Sequence, residues 1–130
     1  MGRVTYEAMA AHWPNSEAPV APVMNDIPKV VFSKTLESAD WPVTRIASGD
    51  AAEEIARLKA EPGGVIVAHG GVRFARSLVE TGLIDEYRLV THPVVLGGGE
   101  RIFMAPLTIE PLSTIAFSGG AVAHVFAARP

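Results

Sequence analysis

Three short stretches of this sequence place small, hydroxyl-bearing and cationic residues where an anion could be held. In VIVAHGGVRF (residues 65–74) an apolar run ends on His69-Gly70-Gly71 and turns at once into a helical pattern. A strand that ends in paired glycines and opens a helix brings free backbone N–H groups and the positive helix end to one point, which suits phosphate or pyrophosphate. The glycines remove Cβ atoms that would hold a ligand away and permit unusual backbone angles. Tight packing of a helix on a sheet accounts for the same glycines. In MGRVTYE (residues 1–7), Gly2, Arg3 and Thr5 sit at another helix start. Thr5 can cap that helix or donate to phosphate, and Arg3 can pair with phosphate oxygens bidentately. An ordinary N-cap beside a solvated arginine explains this stretch equally. Ser33-Lys34 ends an apolar strand with a hydroxyl and a cation, at the edge where open α/β sheets bind ligands.

The elements that must position these residues alternate along the chain. Residues 5–13 carry Tyr6, Met9, Ala10 and Trp13 at helical spacing, stopped by Pro14-Asn15-Ser16. EAPVAPVMNDIP reads as a loop, and strands are expected at 29–33 and 44–48. Asp50 is placed to cap the next helix with Glu53 in capping-box position, and Glu53 and Arg57 are spaced as an i,i+4 pair. Residues 65–68, VIVA, are apolar on both faces, which predicts a strand in the sheet interior. A helix over 72–81 ends at Gly82, and a strand over 87–95 is interrupted by Pro93. A closing hairpin turns at Gly119-Gly120. The expectation is one α/β domain spanning 1–130, with a mixed, mostly parallel central sheet, flanking helices and a C-terminal antiparallel hairpin.

Composition narrows the function. The chain has 130 residues, 48% of them hydrophobic, and 14 acidic against 11 basic residues. No Lys/Arg block appears, which argues against nucleic acid as a partner. Cysteine is absent, which removes disulfides and thiol catalysis. No stretch has the length of a membrane span, no pair of residues has metal-ligand spacing, and a cytoplasmic protein is expected. His69 can touch a ligand beside the glycines or be an ordinary hydrogen-bonded histidine. His12 lies at a helix end, and His92 and His124 fall within strand patterns. Gly97-Gly98-Gly99 is a second glycine-rich turn to which a secondary role is assigned.

GRVTYEAM, KVVFSKTL and VIVAHGGVRFARSLVETGLIDEYRLVTHPVVLGGGERIF, in that order, resemble successive blocks of the dihydrofolate-reductase-like fold, in the bacterial branch related to the riboflavin-biosynthesis reductase domain. The resemblance runs from residue 2 almost to the C-terminus. It implies a three-layer fold and an NADPH-dependent reductase acting on a pteridine- or pyrimidine-type heterocycle, working as a homodimer. It further implies that Gly2, Arg3 and Thr5 meet the NADPH pyrophosphate, and that Ser33 and Lys34 meet the adenosine ribose and its 2′-phosphate. His69, Gly70, Gly71, Val72, Arg73 and Phe74 would meet the nicotinamide-side phosphates and ribose, at a junction that can hold a cis peptide in related folds. A non-catalytic nucleotide-binding remnant is the alternative.

Members of that branch carry a strand and loop ahead of the Gly-Arg-x-Thr motif, whereas one residue precedes it here. The expectation is therefore a chain short at its N-terminus, with no catalytic acid assignable and with apolar strand edges uncovered. Such edges favour oligomers with exchanged elements, or low stability.

Overall fold

The computed structural model describes residues 1–129. The chain divides into two compact units, Met1–Ala75 and Arg76–Pro130. The first unit opens with α1 (Arg3–His12), which runs into a 3-10 turn at Trp13–Asn15. A short helix α2 (Ala21–Asp26) follows, then strands β1 (Lys29–Phe32) and β2 (Thr44–Ala47), then helix α3 (Ala51–Ala60). Helix α4 (Val72–Thr81) begins in this unit and ends in the second. The second unit continues with strands β3 (Glu86–Thr91), β4 (Ile109–Ala116) and β5 (Val122–Ala128). No helix among the described residues is long and apolar enough to cross a membrane.

In the first unit β1 and β2 pair in parallel, Lys29 opposite Thr44 through Phe32 opposite Ala47. Met1 and Gly2 lie along the other edge of β1. The Phe32 N–H donates to the Met1 carbonyl at 2.8 Å, the Met1 amine donates to the Val30 carbonyl at 2.8 Å, and Gly2 bridges Phe32 in parallel sense. This is where the start of α1 is fixed against the end of β1. The core beneath is built on Tyr6, Val31 and Trp41, with Met9, Ala10, Trp13, Met24, Leu36 and Ile46 packed around them. Tyr6, Met9, Ala10 and Trp13 are the stripe that the helical spacing predicts.

The α2 helix lies inside the expected loop. Its signal is weak because the segment is proline-rich, yet Pro22 stands at the helix start, where a missing N–H costs nothing. What terminates it is a lysine. Lys29, 4% exposed, donates through Nζ to the carbonyls of Met24 (3.2 Å), Asn25 (2.8 Å) and Ile27 (2.8 Å). Its ammonium also stands 4.4 Å from the Trp41 ring centroid, a cation–π contact. Three carbonyls at and just past the helix end thus share one cation. Lys29→Met keeps the aliphatic stem and removes every donor, so a loss of about 2–3 kcal/mol is expected in urea denaturation. An unchanged midpoint would show that these carbonyls are satisfied without the ammonium.

Asp50 caps α3 as expected, accepting from the N–H groups of Ala52 (3.0 Å) and Glu53 (3.1 Å). The expected Glu53–Arg57 pair does not form. Arg57 reaches Glu54 instead, at 2.9 Å, and Arg45 approaches the same carboxylate at 3.4 Å. Glu54 is buried, so two cations are drawn to the carboxylate that water screens least.

The second unit holds a three-stranded antiparallel sheet in the order β3-β5-β4. Tyr87 lies opposite Phe126 and Leu89 opposite His124, while Thr114 faces His124 from the other side. The expected hairpin is β4–β5, closed by Gly120 at φ +84°. The strand expected over 87–95 stops at Thr91, ahead of His92-Pro93, because proline cannot donate to a ladder.

The α/β composition is therefore present, but the mixed, mostly parallel single sheet is not. One pairing is parallel and two are antiparallel, in two separate sheets. The cause is the VIVA run. Residues 65–68 form no strand, and Val65, Ile66 and Val67 are 79%, 54% and 59% exposed. Apolar periodicity gives a segment the side chains of an interior strand, but hydrogen-bonded neighbours make it one. Among the described residues no backbone hydrogen bond reaches 65–68.

Candidate functional site

The three chemistry-bearing stretches meet at one place in the first unit, around the starts of α1 and α4 and the end of β1. Gly2 is the N-cap of α1, with extended backbone and no side chain to offer the first turn. A Cβ at Gly2 would stand 3.3 Å from the Cβ of Phe74. The Phe74 ring in turn packs on Phe32 of β1, with centroids 5.2 Å apart. A Cβ at Gly71 would lie only 2.7 Å from Thr5 Oγ1. The two helix starts therefore approach each other through glycine.

Gly70 and Gly71 have φ of +44° and +79°, a region that side chains other than glycine's enter at a cost. The junction is made by two successive left-handed glycines, and no peptide bond among the described residues is cis. They differ in what requires them. Gly71 has no room for a side chain because Thr5 stands against it. Nothing lies within 4 Å of a Cβ built on Gly70, so its backbone faces open space.

The electrostatics favour an anion. Neither α1 nor α4 has an acidic residue in its first turn, and no side chain caps α1. Both helix starts direct a positive dipole end toward this place, with no acidic side chain in the first turn to neutralise it. Lys34 and Arg73 are exposed and make no ion pair among the described residues. His69 is exposed as well. Arg3 is half-exposed and pairs at 3.7 Å with Glu7, one turn along α1. The i,i+4 spacing of Arg3 and Glu7 is the sequence signal of this pair. Phe32 is the other missed contributor. It seats Phe74, and nothing in its own neighbourhood of sequence announces that contact.

Several expected roles are modified by the geometry. Thr5 is not the N-cap, since α1 starts two residues earlier and its hydroxyl faces Gly71. Ser33 Oγ accepts from the N–H groups of Thr35 (3.2 Å) and Leu36 (3.0 Å). Its lone pairs thus shape the turn that carries Lys34, and its oxygen also stands 3.5 Å from Thr35 Oγ1. Phe74 spends its ring on β1, and Val72 is half-buried at the helix start. In the second unit Gly97 has φ +74°. Its loop is held by Arg76, which donates to the Arg101 carbonyl (2.6 Å) and to Glu100 (2.9 Å).

What remains is a cradle of two helix starts without acidic residues in their first turns, one open glycine and three cations. Its donors fit the phosphates of a dinucleotide in kind: backbone N–H groups, a serine hydroxyl, guanidinium and ammonium groups. These donors make the cradle a binding surface for an anionic ligand.

Comparison with known proteins gives this cradle a lineage. The chain is 31% identical over 133 residues to the "Uncharacterized protein YyaP" of Bacillus subtilis, spanning 96% of this chain and 70% of that one. It superposes with a TM-score of 0.77 on the crystal structure of a "Putative riboflavin biosynthesis protein" from Shewanella sp. PV-4. That likeness, at 20% identity, covers 100% of this chain and 72% of the other, and it establishes a shared fold. The family model described as the RibD C-terminal domain matches residues 1–114, a span that contains every residue of the cradle. The chain therefore belongs to the RibD C-terminal domain family, a family of reductase-like domains.

Proposed function

We propose that this chain binds NADPH across the starts of α1 and α4 and serves as a reductase toward a pteridine- or pyrimidine-type heterocycle. The observation that carries the reading is the convergence of Gly2–Thr5, Ser33-Lys34 and His69–Phe74 on one surface where neither helix start has an acidic residue in its first turn. Membership of a reductase-like family supports the same direction.

In this reading the pyrophosphate lies over the positive ends of α1 and α4, with Arg3 swinging from Glu7 to meet it. Gly70 lets the ligand approach the backbone, where a side chain would hold it off. Lys34, presented by the Ser33 turn, meets the 2′-phosphate, and Arg73 adds positive potential from the first turn of α4. Bound NADPH would supply the hydride. The protein's part is to hold donor and acceptor in near-contact and to exclude water, the main protein contribution to a transfer of this kind.

The test is a titration of the purified chain with NADPH and NADH, followed by thermal shift and by fluorescence. The melting temperature is expected to rise with NADPH concentration, as mass action requires, and to respond more weakly to NADH. Lys34→Ala should cost NADPH about 1–3 kcal/mol of binding, roughly 5- to 150-fold in Kd, and leave NADH nearly unaffected. Equal losses for both nucleotides would remove Lys34 from the 2′-phosphate. Absence of any shift with either nucleotide would overturn the cofactor assignment.

A further inference from the structure

The longer helices that start in the first unit differ in the charge of their first turns. α1 and α4 have no acidic residue there, whereas α3 opens on Asp50 as its cap, with Glu53 and Glu54 behind it. That acidic start lies beside Lys34. β1 and β2 run parallel with Phe32 opposite Ala47, and the Ser33 N–H donates to the Ala47 carbonyl at 3.0 Å. The two strands therefore leave the sheet side by side, about 4.8 Å apart. One continues into Ser33-Lys34, the other into Ser48-Gly49-Asp50.

The acids at this end are not equivalent. Glu54 is buried, and both Arg45 and Arg57 meet its carboxylate. Asp50 and Glu53 are exposed and make no ion pair among the described residues. Asp50 takes both of its hydrogen bonds, from the N–H groups of Ala52 and Glu53, on Oδ1. Only the positive end of α3 offsets its charge. A cation and an acid with no cationic partner thus stand at neighbouring strand ends, where one ligand group would feel both.

We propose that Asp50 is a specificity-determining residue of the nucleotide site, where its carboxylate works against Lys34. This deepens the NADPH reading and rests on it. Lys34 attracts a 2′-phosphate from the end of β1, and Asp50 repels it from the end of β2, within the ~8 Å over which charges act at physiological salt. A 2′-hydroxyl carries no charge and is spared that repulsion. In dinucleotide sites generally, an acid past a strand end favours the unphosphorylated ribose. The preference for NADPH is therefore held below what Lys34 alone would give.

Asp50→Asn is the direct test, because asparagine caps a helix about as well as aspartate and removes only the charge. Affinities for NADPH and NADH are read by fluorescence titration at low salt, a readout separate from the melting temperature of each variant. The substitution is expected to tighten NADPH about three- to tenfold and to leave NADH within about twofold. The gain should shrink as salt is added, because exposed charges are screened. Asp50→Ser, which also caps, should reproduce it. Glu53→Gln removes the same charge farther from the strand end and should give a smaller gain. If the wild-type chain binds NADPH and Asp50→Asn binds it no more tightly, Asp50 has no such role and the NADPH reading stands. Equal tightening of both nucleotides, or an equal gain from Glu53→Gln, would also overturn the assignment, since either marks a general effect of net charge. A wild-type chain that binds neither nucleotide overturns this inference together with the cofactor reading.

Discussion

Gly71→Val is expected to abolish NADPH binding, with Kd raised on the order of 100-fold or more, equivalent to about 3 kcal/mol. Two independent physical reasons act at this one position. The residue has φ +79°, and a β-branched side chain in that region costs about 1–2 kcal/mol or more. A Cβ there also stands 2.7 Å from Thr5 Oγ1, so Thr5 must turn aside or the start of α4 must retreat, and the larger valine side chain favours the retreat. The cradle is defined by the approach of those two helix ends, and a retreat of even about 1 Å takes donors out of hydrogen-bond range. Gly70→Ala is the control. It carries a similar backbone strain at φ +44°, but its Cβ meets nothing within 4 Å. Its cost should fall mainly on stability, with binding weakened only as far as the ligand itself occupies that open space.

The two contributions at Gly71 separate in a double-mutant cycle. Gly71→Ala should destabilise the chain, and Thr5→Ala in the same background should recover the part due to the clash. The strain due to φ should remain. A coupling near zero would mean that the threonine hydroxyl turns aside at no cost and that backbone conformation alone requires the glycine. Unchanged NADPH affinity in Gly71→Val would remove this junction from the binding site.

Features whose cause is local were legible in the sequence. The Asp50 cap, the limits of α4 at Val72 and Thr81, the β1 and β2 strands and the β4–β5 hairpin follow from periodicity, caps and turn residues. That the three anion-compatible stretches belong to one site came from the family resemblance, since none of them alone names the others. Features caused by distant partners were not legible. The choice of Glu54 over Glu53 by Arg57 depends on burial and on Arg45 arriving from β2. The α2 helix is finished by a lysine that follows it and by the aromatic ring above that lysine. The VIVA run has every side chain an interior strand needs, and its failure to become one was invisible because pairing belongs to two segments. Likewise Gly71 announced a close approach without naming Thr5 as what approaches.

Trp41 should be the most sensitive position of the first unit, and for a reason spread over three elements. It is 3% exposed, and its ring lies 6.2 Å from that of Tyr6 on α1. Its indole Nε1 donates to Asn25 Oδ1 of α2 at 2.7 Å, and Asn25 Nδ2 in turn donates to the Trp13 carbonyl at 3.2 Å. Lys29 of β1 rests its ammonium over the same ring. Trp41→Ala therefore opens a cavity against Tyr6, leaves Asn25 Oδ1 without its donor and removes the π-face beneath a buried cation. The expected cost is about 3–5 kcal/mol, a large share of the 5–15 kcal/mol that typically holds a domain. Trp41→Phe separates the parts. It retains most of the ring packing and loses the indole hydrogen bond, for about 1–2 kcal/mol. Urea denaturation followed by circular dichroism reads both, since removing one of the two tryptophans changes the fluorescence baseline. A cost below about 1 kcal/mol for Trp41→Ala would show that Tyr6, Val31 and Trp41 are not the core of this unit. A large cost would carry further. Every cradle residue lies in the same unit, and Tyr6 sits one residue after Thr5 on α1, so the packing that Trp41 sustains also holds the helix start that faces Gly71. NADPH should then raise the melting temperature of Trp41→Phe by nearly the wild-type amount, and Trp41→Ala should bind only in proportion to its folded fraction.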